Sequence, residues 1–435
     1  MNSKNILISA IGKGTIDRNG NSIGYRKTEY IFEPGTQKEY ICRQTAFFGV
    51  ALYEYLTQRQ KLQIDKFIIF GTEKSAWSEL LYLVPDNCQS DEKLLEIYSH
   101  LYDLENSHGK AVTCDDLKKW QEYLQKYISN IKLEIIDPLD SRAYMDAILK
   151  ELEKDEEYNI IYDCTHAFRH IPIIFTYVLM LSKYLRKVKD IRLFYGAYEM
   201  KSLYSYPEGK SPAIEIGFVN EAVSLIESLA SFENSGYFPD LLEALCRQRF
   251  ETTYFKLEMN RQPKREIKAI IEMLEDKKRL SSNAYLKELS DYLLEEFSDI
   301  NNRSRLHLRM YKRSQFFFER NQYLKALVLL YESFIILFAD VYRFNNMDYD
   351  SREKSRKKVL DEIENLDKNP SLNKLFKSKD EAKLFKTLEY VRNAAVHGSA
   401  PRCDQNYLEN IDQFKQLFSS ASNLFERLVQ RADLS

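Results

Sequence analysis

The strand signals of this chain stop near Phe218, and that boundary constrains the fold more than any other feature. Before it, short apolar, β-prone runs at 5–10, 25–32, 66–70, 132–136, 159–162, 190–197 and 213–218 read as strands. Between them, 44–59 reads as an amphipathic helix and 141–154 as a helix with Ser141 at its N-cap. The polar stretch 91–127 is helical in pattern, an insertion or a long connecting helix. Strands alternating with helices call for a mostly parallel, doubly wound α/β sheet, a Rossmann-like domain over about 1–219. Beyond Phe218, helix follows helix with polar breaks, which predicts an all-α linker over 220–310 and an all-α C-terminal domain over 311–435.

In a doubly wound sheet, ligands bind beyond the carboxyl ends of the strands. Three loops fall there by order. The first, Gly12-Lys13-Gly14-Thr15, follows a strand and suits a phosphate-contacting turn, or equally a plain tight turn. The second is Gly71-Thr72-Glu73-Lys74-Ser75, another glycine–hydroxyl turn after a buried strand. The third is the most informative. Residues 159–172, NIIYDCTHAFRHIP, give a buried strand, a polar loop, and a long apolar helix beginning near Pro172. That geometry points backbone N–H groups at an anionic ligand. The loop adds Asp163, Thr165, His166, Arg169 and His170. The blander alternative is that Asp163 and Thr165 cap the turn and His166 is a satisfied structural histidine.

The net charge is −2, so nucleic acid could be held only by a local basic patch. One candidate is 303–320, where Arg303, Arg305, Arg309, Lys312, Arg313 and Arg320 lie among aromatic residues. It reads as an RNA-phosphate contact or as a solvated face with an apolar stripe behind it. Six cysteines lie far apart with no CxxC pair, so nothing in the pattern calls for a metal, and a reducing cytoplasm is expected. Two apolar runs, 171–185 and 323–342, are too short or too charged to span a membrane.

Near the C-terminus, Tyr390-Val391-Arg392-Asn393-Ala394-Ala395-Val396-His397-Gly398 reads as the last turns of a helix. Asn393 and His397 share a helical face, with Arg392 one step round. His397 can move a proton at neutral pH, and Arg392 can neutralise the extra charge of a pentacoordinate phosphorus. Arg-x4-His alone recurs by chance; the alternative is a surface arginine and a histidine that favours the helix dipole.

Taken together, these stretches resemble the CARF–HEPN ribonucleases of type III CRISPR systems, in the branch marked by a DxTHG motif. Asp163-Cys164-Thr165-His166-Ala167-Phe168-Arg169 is similar to the family's DxTHGFR segment, and Ser9-Ala10-Ile11-Gly12-Lys13-Gly14 to its first-strand glycine loop. Gly71-Thr72-Glu73-Lys74-Ser75-Ala76-Trp77 resembles its GTxxSxW stretch, and Arg392 to His397 its HEPN R-x4–6-H motif. The resemblance implies a cyclic oligoadenylate activator, with cyclic tetra-adenylate (cA4) the first expectation and ring size left open by the residues. It implies ligand contacts from Ser9, Gly12, Lys13, Gly14, Thr15, Gly71, Thr72, Asp163, Thr165, His166, Ala167, Phe168 and Arg169. It further implies a homodimer or higher homo-oligomer in which Arg392, Asn393 and His397 of paired chains cleave single-stranded RNA without a metal or cofactor, leaving 2′,3′-cyclic phosphate ends. A catalytically silent sensor is an alternative, as is a ring nuclease using Thr165, His166 or Lys13 on its own messenger. Ala167 stands where the motif has glycine, and Lys13 where a small polar residue is usual.

Overall fold

The structure is a computed structural model that describes residues 3–14, 24–107, 109–202, 209–301 (backbone alone at 299–301), 305–365, 375–400, 402 and 406–432. It divides into two compact units, Met1–Val223 and Ser224–Ser435.

The first unit is built on an eight-stranded sheet ordered β3-β2-β8-β7-β6-β1-β4-β5. Its strands are β1 (Lys4–Ile11), β2 (Glu29–Phe32), β3 (Tyr40–Ile41), β4 (Lys66–Gly71), β5 (Ile131–Ile135), β6 (Glu157–Asp163), β7 (Lys187–Gly196) and β8 (Lys210–Glu215). The run β5-β4-β1-β6-β7 is parallel throughout, while β7 and β8 pair antiparallel, as do β2 and β3. Helices α1 (Phe48–Glu54), α2 (Glu92–Asn106), α3 (Cys114–Leu124), α4 (Ser141–Glu151) and α5 (His170–Leu185) cover it. Strand alternation explains why both faces need cover. Leu7 and Ile11 of β1, with Phe67 and Ile69 of β4, join Phe48, Leu94, Leu117 and Trp120 of α1–α3. Ile6, Ile8 and Ala10, with Ile68 and Phe70, join Tyr144 and Ile148 of α4 and Phe175 and Leu179 of α5. Burial on both faces is what makes these strands read as unbroken apolar runs.

The expected α/β order is present, with local corrections. The 25–32 run is a strand only from Glu29, since Tyr25 turns aside to the loop of β1. The helix expected at 44–59 begins at Phe48 and ends in a π-helical turn, Tyr55–Arg59. The N-cap of α4 is Asp140, whose carboxylate accepts from the amides of Arg142 and Ala143 at 3.0 and 3.2 Å; Ser141 is the first helical residue. The stretch 91–127 is neither insertion nor single helix: α2 and α3 bury Leu94, Leu101 and Trp120 in the unit's core. The last strand ends at Glu215, and Gly217 and Phe218 open helix α6 (Gly217–Ser235), because Pro212 to Glu215 complete the pairing with β2 and β7 first.

The second unit continues with α7 (Pro239–Cys246), α8 (Glu251–Glu258), α9 (Lys264–Leu280), α10 (Ala284–Asn301), α11 (Leu306–Glu319), α12 (Tyr323–Val341), α13 (Tyr349–Glu364), α14 (Lys379–His397) and α15 (Ile411–Arg431). Residues from Phe232 to Val429 share one apolar core, so 220–310 and 311–435 are joined by packing. Of the arginine-rich run 303–320, Arg303 lies outside the described residues, and the part on α11 is not simply a solvated face. Arg309, Arg313 and Arg320 are buried, Arg313 donating to the carbonyls of Leu257 (2.5 Å) and Arg261 (3.3 Å). Arg320 pairs with Glu296 at 3.1 Å and lies 3.8 Å from the Phe316 ring centroid. A buried cation must be paired or hydrogen-bonded, and Arg313 and Arg320 are. Among the described residues no helix is long and apolar enough to cross a membrane.

Candidate functional sites

In the first unit, strand order reverses between β1 and β6: β4 and β5 extend to one side of β1, β6 and β7 to the other. The crevice beyond the strand ends at such a switch point is where an α/β sheet takes its ligand. Register sets Ser9 beside Asp163 and Ile11 beside Gly71, so the three sequence-marked loops leave the sheet side by side.

They are also bonded to one another. The Ile11 carbonyl accepts from Ser75 Oγ at 2.7 Å, and the Gly12 carbonyl from the Ala76 amide at 2.8 Å. The Gly12 amide donates to Tyr25 Oη at 2.7 Å. Gly12 must be glycine for contact reasons: a Cβ there would lie 2.9 Å from the Ala167 Cα and 3.1 Å from its nitrogen. Gly71 is required because a Cβ would meet the Trp77 ring at 2.5 Å. Thr72 shapes its own turn, its amide donating to Ser75 Oγ at 2.8 Å.

Three polar side chains of the third loop, Asp163, Thr165 and His166, turn to protein partners. Asp163 is fully buried and accepts from the Thr165 amide at 2.9 Å. Burial raises its carboxyl pKa to about 6, opposed by Thr165 and Ser9. Thr165 Oγ1 accepts from the Gly196 amide at 2.8 Å, tying the loop to β7. His166 Nε2 accepts from the Phe48 amide at 3.0 Å, and its ring lies 4.2 Å from that of Tyr25. An amide donating into Nε2 requires a neutral ring, and burial accordingly lowers the His166 pKa to about 3. His166 thus holds the start of α1 and carries no exchangeable charge at neutral pH. His170 Nε2 meets the Pro138 carbonyl at 2.7 Å. What the loop presents outward is Phe168, 53% exposed, and Arg169 at the N-cap of α5. Ala167 sits at φ +83°, the conformation that its glycine counterpart would adopt freely. Lys13 and Gly14 are half-buried, and Thr15 lies outside the described residues.

Tyr25 and Glu79 also belong to this cluster, and no motif marks them in the sequence. Tyr25 was hidden in an aromatic run that reads as strand. Glu79 lies beside Gly24, half-buried, with its pKa raised by burial.

In the second unit, Arg392, Asn393 and His397 occupy the last turns of α14, which Ser378 caps at its start and Gly398 ends in the left-handed region at φ +63°. His397 is exposed. Arg392 Nη1 donates to Asn393 Oδ1 at 2.9 Å, so Asn393 faces the arginine in the single chain. The motif itself contains no carboxylate; the fold supplies one from α12. Glu332 Oε1 lies 3.5 Å from Arg392 Nη2, and its Oε2 lies 3.4 Å from Arg352 Nη1 of α13. The guanidinium carbon of Arg392 stands 5.0 Å from the Tyr331 ring centroid. Tyr331 Oη donates to Glu389 at 2.7 Å, and Arg356 pairs with the same carboxylate at 2.6 Å. Beside the helix end is a groove of about 530 Å³ lined by Tyr323, Leu327, Ala394, Gly398, Tyr407 and Phe414 among others.

Comparison with known proteins places the first unit. Residues 6–199 match the family described as "CRISPR system endoribonuclease Csx1, CARF domain". The chain is 24% identical over 429 residues to the CRISPR-associated protein MJ1674 of Methanocaldococcus jannaschii, an alignment covering 91% of this chain and 62% of that protein. The chain therefore spans under two thirds of that relative's length. Csm6 of Enterococcus italicus, solved bound to cyclic hexa-2′-fluoro-hexa-dAMP, aligns over 100% of this chain and 95% of its own at 14% identity. Its TM-score of 0.38 is too low to carry an argument. The family match supports a CARF domain of the Csx1 type over residues 6–199.

Proposed function

We propose that this protein is a cyclic-oligoadenylate-activated, metal-independent endoribonuclease of type III CRISPR defence, with a HEPN-type site in its second unit. The observation that carries the reading is the pairing, in one chain, of a Csx1-type CARF match with Arg392, Asn393 and His397 on one helix end of an all-helical unit. The messenger would sit in the crevice above β1, β4 and β6. There exposed Phe168 and Arg169 offer a stacking ring and a cation to a nucleotide, while the Gly12 amide is committed to Tyr25 Oη. Thr165 and His166 are committed to holding the loop, which disfavours them as the acid or base of a ring nuclease.

Cleavage would proceed by attack of the RNA 2′-oxygen on the adjacent phosphorus. The hydroxyl proton passes to a base, the P–O5′ bond breaks, and the leaving 5′-oxygen takes up a proton. His397 from one or both chains of a dimer serves these transfers, and Arg392 stabilises the added negative charge. The groove beside His397 falls within the volume range of small-ligand sites and could take a nucleotide. A homodimer is supported by α5, where Ile173, Tyr177, Leu181 and Tyr184 are 60, 73, 49 and 69% exposed at helical spacing. The test is the chemistry of the products. Fragments from the activated protein are expected to end in 2′,3′-cyclic phosphate and 5′-hydroxyl, and His397→Ala to yield none. Products with 5′-phosphate ends, or undiminished cleavage by the variant, would overturn the assignment.

A further inference from the structure

The charge on α13 is unevenly placed. Residues 352–358 hold Arg352, Lys354, Arg356, Lys357 and Lys358 against the single acid Glu353, whereas Asp361, Glu362 and Glu364 close the helix. The first turn follows helix physics, with Asp348 as N-cap and Asp350 behind it, but the three acids at the C-terminal end run against it. Arg352 with Arg356, and Lys354 with Lys358, are like-charge pairs four apart, which weaken a helix further. Opposite-charge pairs at the same spacing, Asp350 with Lys354 and Glu353 with Lys357, offset this, so local stability alone does not single out the cations.

Their position does. Arg352 is linked to Arg392 through one carboxylate, Glu332, at 3.4 and 3.5 Å. Glu332 balances only one of those two guanidinium charges. Arg356 is committed to Glu353 and Glu389, but Lys354, Lys357 and Lys358 are exposed. Tyr349, one turn before Arg352, is 79% exposed. Cations interleaved with an exposed ring are the composition of a surface that follows single-stranded nucleic acid, phosphates on the cations and a base on the ring. We infer that the N-terminal half of α13 is a track for the backbone of single-stranded RNA, leading the substrate to Arg392; this rests on the endoribonuclease reading above.

The experiment uses the full chain with cyclic oligoadenylate and a fluorescent-quenched single-stranded RNA. It compares Lys354→Gln/Lys357→Gln with a control pair on α9, Lys264→Gln/Lys268→Gln, whose lysines are also exposed. The α13 pair is expected to raise KM about tenfold at moderate salt with kcat within about twofold, and to flatten the dependence of log KM on log salt by about 1.4, near 0.7 for each lost phosphate contact. Tyr349→Ser is expected to raise KM at least about fivefold without changing that slope. The control pair is expected to change neither quantity. Equal effects of the two lysine pairs, or no effect of either, would overturn the track. A parallel arm measures anisotropy of labelled oligouridylate in the His397→Ala background. If the unmodified protein cleaves no RNA, the ribonuclease reading fails and this arm alone decides: binding weakened only by the α13 pair upholds the track. Binding equally weakened by both pairs, unchanged by either, or absent throughout overturns it.

Discussion

Glu105 offers a direct check on the electrostatics of the first unit. It lies on α2, is 3% exposed, and accepts from the Ser78 amide at 2.8 Å and the Ser78 hydroxyl at 2.6 Å. Burial raises its pKa from 4.5 to about 7, against the opposing pull of those two hydrogen bonds. The folded state then keeps a proton that the unfolded chain releases at lower pH. Between about pH 4.5 and 7 the native form binds more protons, so stability falls as pH rises and the loss is complete above pH 7. At about 1.4 kcal/mol per unit, the loss is roughly 3 kcal/mol. Glu105→Gln stays neutral throughout. It should match the wild type near pH 4.5 and exceed it at pH 8 by up to about 3 kcal/mol, roughly 6–12 °C in Tm for a domain of this size. Asp163 titrates with the same sign in both proteins and cancels in the difference. Thermal unfolding of the pair at several pH values is the assay. A Tm difference that does not change with pH, or that favours the wild type at pH 8, would refute the reasoning.

Three further outcomes are expected. Ala167→Gly relieves an alanine at φ +83° and should stabilise by about 1 kcal/mol, raising Tm by about 2–4 °C in a thermal scan. Gly12→Ala places a methyl 2.9 Å from the backbone at Ala167, and should cost about 1–3 kcal/mol and weaken cyclic oligoadenylate binding, read by denaturant midpoint and calorimetry. Arg320→Met removes the partner of half-buried Glu296 and a donor to the Phe232 carbonyl, and should cost about 3 kcal/mol of unfolding free energy, read by urea titration.

Much of the sheet was legible because its parallel strands are buried on both faces, and KFIIF or NIIY has few other uses. That three loops leave the carboxyl ends of strands followed from the alternation of strands and helices, whereas the reversal between β1 and β6 that groups them comes from strand pairing. What the sequence hid was contact made at a distance. Ser141 and Asp140 are equally good caps by type, and only backbone geometry selects Asp140. Polar-looking α2 and α3 carry their apolar residues at helical spacing, so their place in the core is masked by the charged face. Asp163, Thr165 and His166 stand together in the sequence, yet their chemistry alone does not say that they face inward. Glu332, sixty residues before Arg392 on another helix, has no local signal at all. The arginines of α11 looked like surface because burial of a cation depends on carbonyls that the run itself does not contain.

The central claim is that one chain couples messenger binding in its first unit to RNA cleavage in its second. The direct test is cleavage of a fluorescent-quenched single-stranded RNA by pure protein in EDTA, with cyclic tetra-adenylate and cyclic hexa-adenylate added separately. The account predicts cleavage that requires one of the two rings and vanishes in His397→Ala. No cleavage with either ring, or cleavage that ignores the ring or needs a divalent metal, would contradict it.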